Sequence, residues 1–115
     1  MKKTKMLKKN YEFATVLRKG TYFSGKTIEA FIKRNNQNTN FLGIAISSKI
    51  CKAVKRNHIK RLMRESYKNL ENKINTGHSI IFLWKKKVDI KQACYQNVEK
   101  DMKKIFAEAK LFIKD

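Results

Sequence analysis

The residues from Lys49 to Lys68, KICKAVKRNHIKRLMRESYK, set the tightest limit on how this chain folds. Lys49, Lys52, Lys55, Arg56, Lys60, Arg61, Arg64 and Lys68 stand there against a single acid, Glu65. At about 100° per residue, Ile59, Leu62, Met63, Ser66, Leu70 and Ile74 fall in one narrow stripe, while Asn57, Lys60, Arg61, Arg64 and Lys68 turn well away from it. The sequence therefore predicts a long helix with a buried back and a cationic front. Like charge at this density repels itself unless a polyanion relieves it, which separates this helix from an ordinary solvated face. A basic amphipathic helix can also lie on a membrane or serve as a calmodulin-type target, but those uses call for a wide apolar face. Here the apolar stripe is narrow, and the planar fork of arginine matches phosphate oxygens.

The whole chain supports a polyanionic partner. Its formal net charge is +19 over 115 residues, enough length for one domain, residues 1–115, and too little for two with separate cores. Apolar content of 42% is that of a folded chain, so the basic character does not mark disorder. Nucleic acid is the expected partner. Two cysteines, Cys51 and Cys94, lie far apart and fit no Cys-x-x-Cys pairing, so they are expected to be reduced thiols. With His58 and His78 they lack the short ligand pairs that structural zinc sites use, and no protein-bound metal is expected. The start, MKKTKMLKK, has no apolar stretch behind its lysines and no run reaches membrane-spanning length, which predicts a cytoplasmic protein without a membrane partner.

In chain order, residues 1–6 form a basic arm expected to be mobile. Asn10 is positioned to cap a short helix that carries Tyr11, Ala14 and Leu17 and stops at Lys19-Gly20. From Thr21 to Arg34 the residues suit a strand, with Ile28, Ala30 and Ile32 on one face and Phe31 on the other. NNQNTN, residues 35–40, reads as an exposed loop tip, and Phe41 to Ser48 as a central strand covered on both sides. The basic helix then runs to a stop at Asn75-Thr76-Gly77. SIIFLW, residues 79–84, is a buried strand. Asp89 is placed to cap a last helix bearing Ile90, Cys94, Val98, Met102, Ile105, Ala109 and Phe112. The order α, β, β, α, β, α describes an α+β domain with helices packed on a small sheet.

KAVKRNHIKRLMRE, residues 52–65, resembles the signature of the bacterial ribonuclease P protein component, an Arg-Asn-Arg followed by Ile-Lys-Arg-Leu and then Arg. LKKNYEF at 7–13 with Lys19-Gly20 is similar to that family's first helix and turn, and GIAISSKI at 43–50 to its central strand. The resemblance implies an α-β-β-β-α-β-α sandwich whose crossover into the second long helix is left-handed, a rare hand for such a connection. It implies a protein subunit that pairs with a catalytic RNA, as a monomer in a 1:1 complex, and helps to remove the 5′ leader of precursor tRNA. Catalysis and Mg2+ would then belong to the RNA-containing holoenzyme.

The residues agree that the chain is not itself a nuclease. Its nine acids are scattered, Glu65 and Glu71 sit among cations as ion-pair partners, and no His and acid can be assigned to activate Ser47 or Ser48. An independent nuclease would group carboxylates around a metal, and a DNA-binding regulator would place a short turn before its recognition helix; neither pattern is present. A ribosomal or other structural RNA-binding protein is the remaining rival.

Carried over residue by residue, the resemblance implies RNA contacts for Arg56, Lys60, Arg61 and Arg64, with Asn57 between the first two and Lys49, Lys52 and Lys68 extending the field. His58 stands where the family has a second arginine, so its phosphate contact is in question. Cys51 replaces a usual glycine and Lys86 a frequent proline. A second surface, a cleft for the single-stranded leader, would use Phe13, Leu17 and Phe31, bordered by Ser47, Ser48 and Lys85. Aromatic rings stack on unpaired bases of any sequence. From the residues alone Phe13, Leu17 and Phe31 read rather as core. Leu17 replaces a usual phenylalanine and offers no ring to stack.

Overall fold

The computed structural model describes residues 3–114. A five-stranded sheet is built from β1 (Thr4–Met6), β2 (Thr21–Ser24), β3 (Ile28–Arg34), β4 (Asn40–Ala45) and β5 (His78–Trp84), in the order β1-β4-β5-β3-β2. Three helices complete it: α1 (Asn10–Lys19), α2 (Ala53–Leu70) and α3 (Tyr95–Glu108). β4 pairs in parallel with both β1 and β5, whereas β3 is antiparallel to β5 and β2. Parallel neighbours need a crossover, and α2 supplies the one between β4 and β5. The α+β class is as the sequence predicts.

Alternation along the strands divides the core in two. Ile28, Ala30, Ile32, Leu42, Ile80, Phe82 and Trp84 share one face, buried beneath α2 and α3. From α2 come Ile59, Leu62, Met63, Ser66 and Leu70, as the stripe predicts, together with Tyr67, which the stripe did not include. From α3 come Val98, Met102, Ile105 and Phe106. The rings of Phe82 and Phe106 meet edge to face, 5.9 Å between centroids. On the opposite face a smaller cluster of Leu7, Val16 and Ile81 holds α1, with Phe13, Phe31, Phe41 and Leu83 half-buried around it. Phe31 thus faces away from the main core, as expected.

Five expectations are corrected. The first concerns the N-terminal arm, of which Met1 and Lys2 lie outside the described residues; Thr4–Met6 is a paired edge strand. It is fixed because Thr4 is buried with its hydroxyl 2.6 Å from that of Tyr67, while Lys3 O accepts from Asn40 N–H at 3.1 Å. Second, the single strand expected at 21–34 is a hairpin that turns at Gly25-Lys26-Thr27. The turn is held by Asp101 of α3, whose carboxylate accepts from Lys26 N–H at 3.1 Å, Thr27 N–H at 2.7 Å and the Thr27 hydroxyl. Third, the 35–40 loop is exposed at Asn36, Gln37 and Asn38 but ends in a buried residue. Asn40 accepts from His78 N–H at 2.9 Å and donates to Asn75 O at 3.3 Å, which ties β4 to the start of β5.

Fourth, α2 ends at Leu70, short of the expected Asn75. A 3₁₀ turn over Glu71–Lys73 follows, since Ile74 leaves the helix to bridge Phe112 and Lys73 O accepts from Ile113 N–H. Glu71, expected on the helix among cations, is instead buried in this turn and accepts from Lys3 N–H at 3.2 Å. Fifth, the two other caps are displaced. Lys9 stands at the cap of α1, with Asn10 already helical. Asp89 caps only a 3₁₀ turn at Ile90–Gln92, because extended backbone at Ala93 and Cys94 delays α3 to Tyr95.

Candidate nucleic-acid interface

α2 begins directly after Lys52, in extended conformation, with no side chain capping its first turn and no acid within it. Free N–H groups at a helix start carry partial positive charge, normally balanced by an acidic residue. Here Lys52, Lys55 and Arg56 add to that charge. One reason lies in the loop before the helix: Arg56 Nη1 donates to Cys51 O at 2.7 Å, so a cation holds the loop that leads into the helix.

Packing of the apolar stripe fixes how α2 presents its other side. Lys52, Lys55, Asn57, His58, Arg61, Arg64 and Lys68 are exposed, and Arg56 and Lys60 are half-buried. Among the described residues the ion pairs lie on α3, Glu99 with Lys103 at 3.4 Å and Glu108 with Lys104 at 3.6 Å. No cation of α2 is paired among the described residues, Glu65 included as a candidate acid. Most of the expected RNA-contacting residues are therefore exposed without an ion-pair partner among the described residues, with Lys49 exposed in the loop just before α2.

The expected leader-cleft residues divide. Phe13 and Phe31 lie on the α1 face of the sheet, both half-buried in the smaller cluster, and Leu17 is exposed one helical turn beyond Phe13. Phe13 rests on Gly43, where the missing side chain makes room: a Cβ there would fall 2.7 Å from Phe13 Cζ. Phe31 is directly opposite Tyr22 across the hairpin, with ring centroids 5.3 Å apart and planes tilted by 57°. Tyr22 is half exposed and its hydroxyl donates to Glu29 at 2.6 Å, a bond that holds the phenol above its ordinary pKa. Sequence reasoning overlooked Tyr22; the turn at Gly25, which makes β2 a strand of its own, was the available signal.

Ser47, Ser48 and Lys85 stand apart from those rings. Ser47 and Lys49 line a cavity of about 380 Å³ shared with Ile50, Lys86, Val88, Asp89 and Ile90, and Ser48 is exposed beside it. Ser47 Oγ accepts from Lys49 N–H at 3.2 Å, so it also shapes the approach to α2. Lys85 is turned to the β2–β3 hairpin, with Nζ donating to Ser24 Oγ at 2.8 Å and to Gly25 O at 3.1 Å. A further hollow, lined by Lys5, Lys8, Lys9 and Glu12 around Met6 and Phe41, lies at the β1 edge. The N-terminal lysines are placed there because β1 is anchored.

Among the described residues no three His, Cys, Asp or Glu side chains gather where a metal ion could be held. Cys51 and Cys94 are free and half-buried. No helix among the described residues is long and apolar enough to cross a membrane.

Comparison with known proteins places this geometry. The Ribonuclease P family model matches residues 1–110. A ribonuclease P protein component of Alkaliphilus metalliredigens is 34% identical over 111 residues, covering 96% of this chain and 98% of the relative. That of Clostridioides difficile is 34% identical over 104 residues, covering 90% of each. The Staphylococcus aureus RNase P protein structure superposes with a TM-score of 0.81 at 27% identity, covering 94% of this chain and 97% of that one. The Thermotoga maritima protein, at 20% identity and 0.81, shares the fold over 96% of this chain and 99% of its own.

Proposed function

The chain belongs to the ribonuclease P protein family, the protein component of a tRNA-processing endoribonuclease, and within that complex we propose that α2 binds the RNA subunit while the α1 face of the sheet receives the 5′ leader of precursor tRNA. The observation that carries this reading is the outer face of α2, where Arg56, Lys60, Arg61, Arg64 and Lys68 have no acidic partner among the described residues. Folding holds these cations at fixed helical spacing against their mutual repulsion, and a folded RNA returns that cost as charge-assisted phosphate contacts with release of counterions. Lys49, Lys52, Asn57 and His58 flank them.

Phe13, Phe31 and Leu17 line the leader side. A single strand of variable sequence is held by stacking and by a positive field, and the face of half-buried rings beside α1 offers the first of these. Catalysis belongs to the RNA subunit with its Mg2+, and this chain acts by positioning substrate, as a monomer in a 1:1 cytoplasmic complex. The scattered acids support that division of labour, since several are committed elsewhere: Asp101 to the hairpin, Glu29 to Tyr22, Glu12 to Lys9 N–H.

The decisive experiment is cleavage of a precursor tRNA at low Mg2+ by the cognate RNA subunit with and without this protein, beside the protein alone. Cleavage only when both are present is expected. Salt-sensitive RNA binding with no stimulation would leave a general RNA-binding protein in its place.

A further inference from the structure

Where β3 ends and β5 begins, two basic residues face each other across the strands. Arg34 is the last residue of β3 and His78 the first of β5, and they are direct cross-strand partners in the antiparallel register. The residue facing Arg34 is thus an imidazole, which is uncharged in its neutral form and becomes a second cationic donor once protonated. Both point to the α3 side, where they border an open cleft of about 430 Å³ whose far wall is the end of α3. Lys110 lines that wall, in a left-handed conformation with φ of 59°. Thr21, Asn75 and Thr76 supply neutral polar groups, and none of the lining residues is an acid.

His78 is the partly buried member of the pair. Its Nδ1 is buried and has no hydrogen-bond partner. Burial, with a smaller contribution from the Arg34 charge, holds the imidazole below its ordinary pKa, partly offset by the Asn75 carbonyl. The charge that acts on the ring is Arg34 from β3, with Lys110, just after α3, across the cleft; β4 contributes only the neutral Asn40, and the 75–77 turn only neutral groups.

We propose that Arg34, His78 and Lys110 form a binding site for a phosphate group, separate from α2. A tetrahedral oxyanion in the cleft accepts from the guanidinium, the ammonium and the imidazole together, and supplies the counter-charge that the cleft lining lacks. Its charge also favours the imidazolium, so binding takes up a proton and tightens as pH falls through the titration of His78. The phosphate is either a backbone group of RNA or a free phosphoanion, and the chemistry of the site is the same for both.

The test follows the Cε1–H resonance of His78 by NMR through a pH titration, at ionic strength held constant with chloride, with and without inorganic phosphate. Phosphate is expected to raise the midpoint of His78 by about one pH unit. Arg34→Ala should abolish the rise, Lys110→Ala should reduce it, and Arg34→Lys should restore part of it. His58, exposed on α2, reports any separate binding to the basic helix. Because Arg34 and Lys110 are exposed, these variants are expected to fold, and an unchanged amide spectrum away from the cleft checks this. A short single-stranded oligoribonucleotide is the second ligand: a His78 response to it as well assigns RNA backbone as the source, and a response to inorganic phosphate alone assigns a free phosphoanion. A His78 midpoint that neither ligand moves, or that moves equally in Arg34→Ala, overturns the proposal.

Discussion

Phe13 of α1 lies so close to Gly43 of β4 that a Cβ at position 43 would sit 2.7 Å from its Cζ and 3.1 Å from Leu7 Cδ1. The glycine is therefore the floor on which the aromatic side of the sheet rests. Gly43→Ala is expected to push the Phe13 ring outward and to cost about 1–3 kcal/mol through overpacking. Thermal unfolding measures this, and Phe13→Leu in the same chain should recover much of the loss, giving a coupling energy in the double-mutant cycle. Strictly additive effects would mean that the contact does not set the position of α1.

Much of this was legible in the sequence because it is local. The stripe of Ile59, Leu62, Met63, Ser66, Leu70 and Ile74 is a property of spacing, and every member is buried. From Ile80 to Trp84 the run is apolar throughout because α1 covers one face of β5 and α2 with α3 the other. What escaped reading depends on partners distant in sequence. Residues 4–6 become a strand through Tyr67 and Asn40, the 21–34 segment breaks at a turn that Asp101 holds from 74 residues away, and Ile74 leaves α2 for Phe112. In the candidate site, α2 displays its cations as spacing predicts. Lys85 had no local signal of its attachment to Ser24 and Gly25, and Tyr22 emerged as a neighbour of Phe31 only once the hairpin register was known.

On the outer face of α2, Arg61 and Arg64 are exposed and unpaired. Each substitution to alanine is expected to weaken binding of the RNA subunit and to lower the slope of log affinity against log salt by roughly one phosphate contact, about 0.7–0.9. Filter binding across a salt series reads both quantities. Because neither side chain is buried, unfolding temperature should change little. A weakened complex with an unchanged salt slope would place the RNA elsewhere.

Phe31 is half-buried, so part of its ring is available and part belongs to the core. Phe31→Ala should weaken binding of leader-bearing precursor by about 1–3 kcal/mol, the worth of one stacked base, while mature tRNA binds as before. Tyr22→Ala, which removes the ring packed 5.3 Å from Phe31, should act in the same direction and less strongly. The difference between the two RNAs separates stacking from general destabilisation. Equal losses for precursor and mature tRNA would return both rings to a purely structural role.

Asp101 connects α3 to the hairpin that carries Tyr22 and Phe31. It is buried, and its two oxygens accept from Lys26 N–H, Thr27 N–H and the Thr27 hydroxyl, with Gly25 packed so tightly that a Cβ there would meet Asp101 Cγ at 2.6 Å. Removing an ionised acceptor costs about 1.5–3 kcal/mol per bond, more when the donor left behind is buried. Asp101→Ala should therefore destabilise by at least about 3 kcal/mol. Asp101→Asn, which keeps one carbonyl acceptor in the same place, should lose less. Hydrogen exchange is expected to rise first at Lys26 and Thr27 and to spread along β2, because the turn is the only part of the hairpin whose amides depend on this carboxylate. If both variants melt like the parent chain, the hairpin is held by its strand pairing alone.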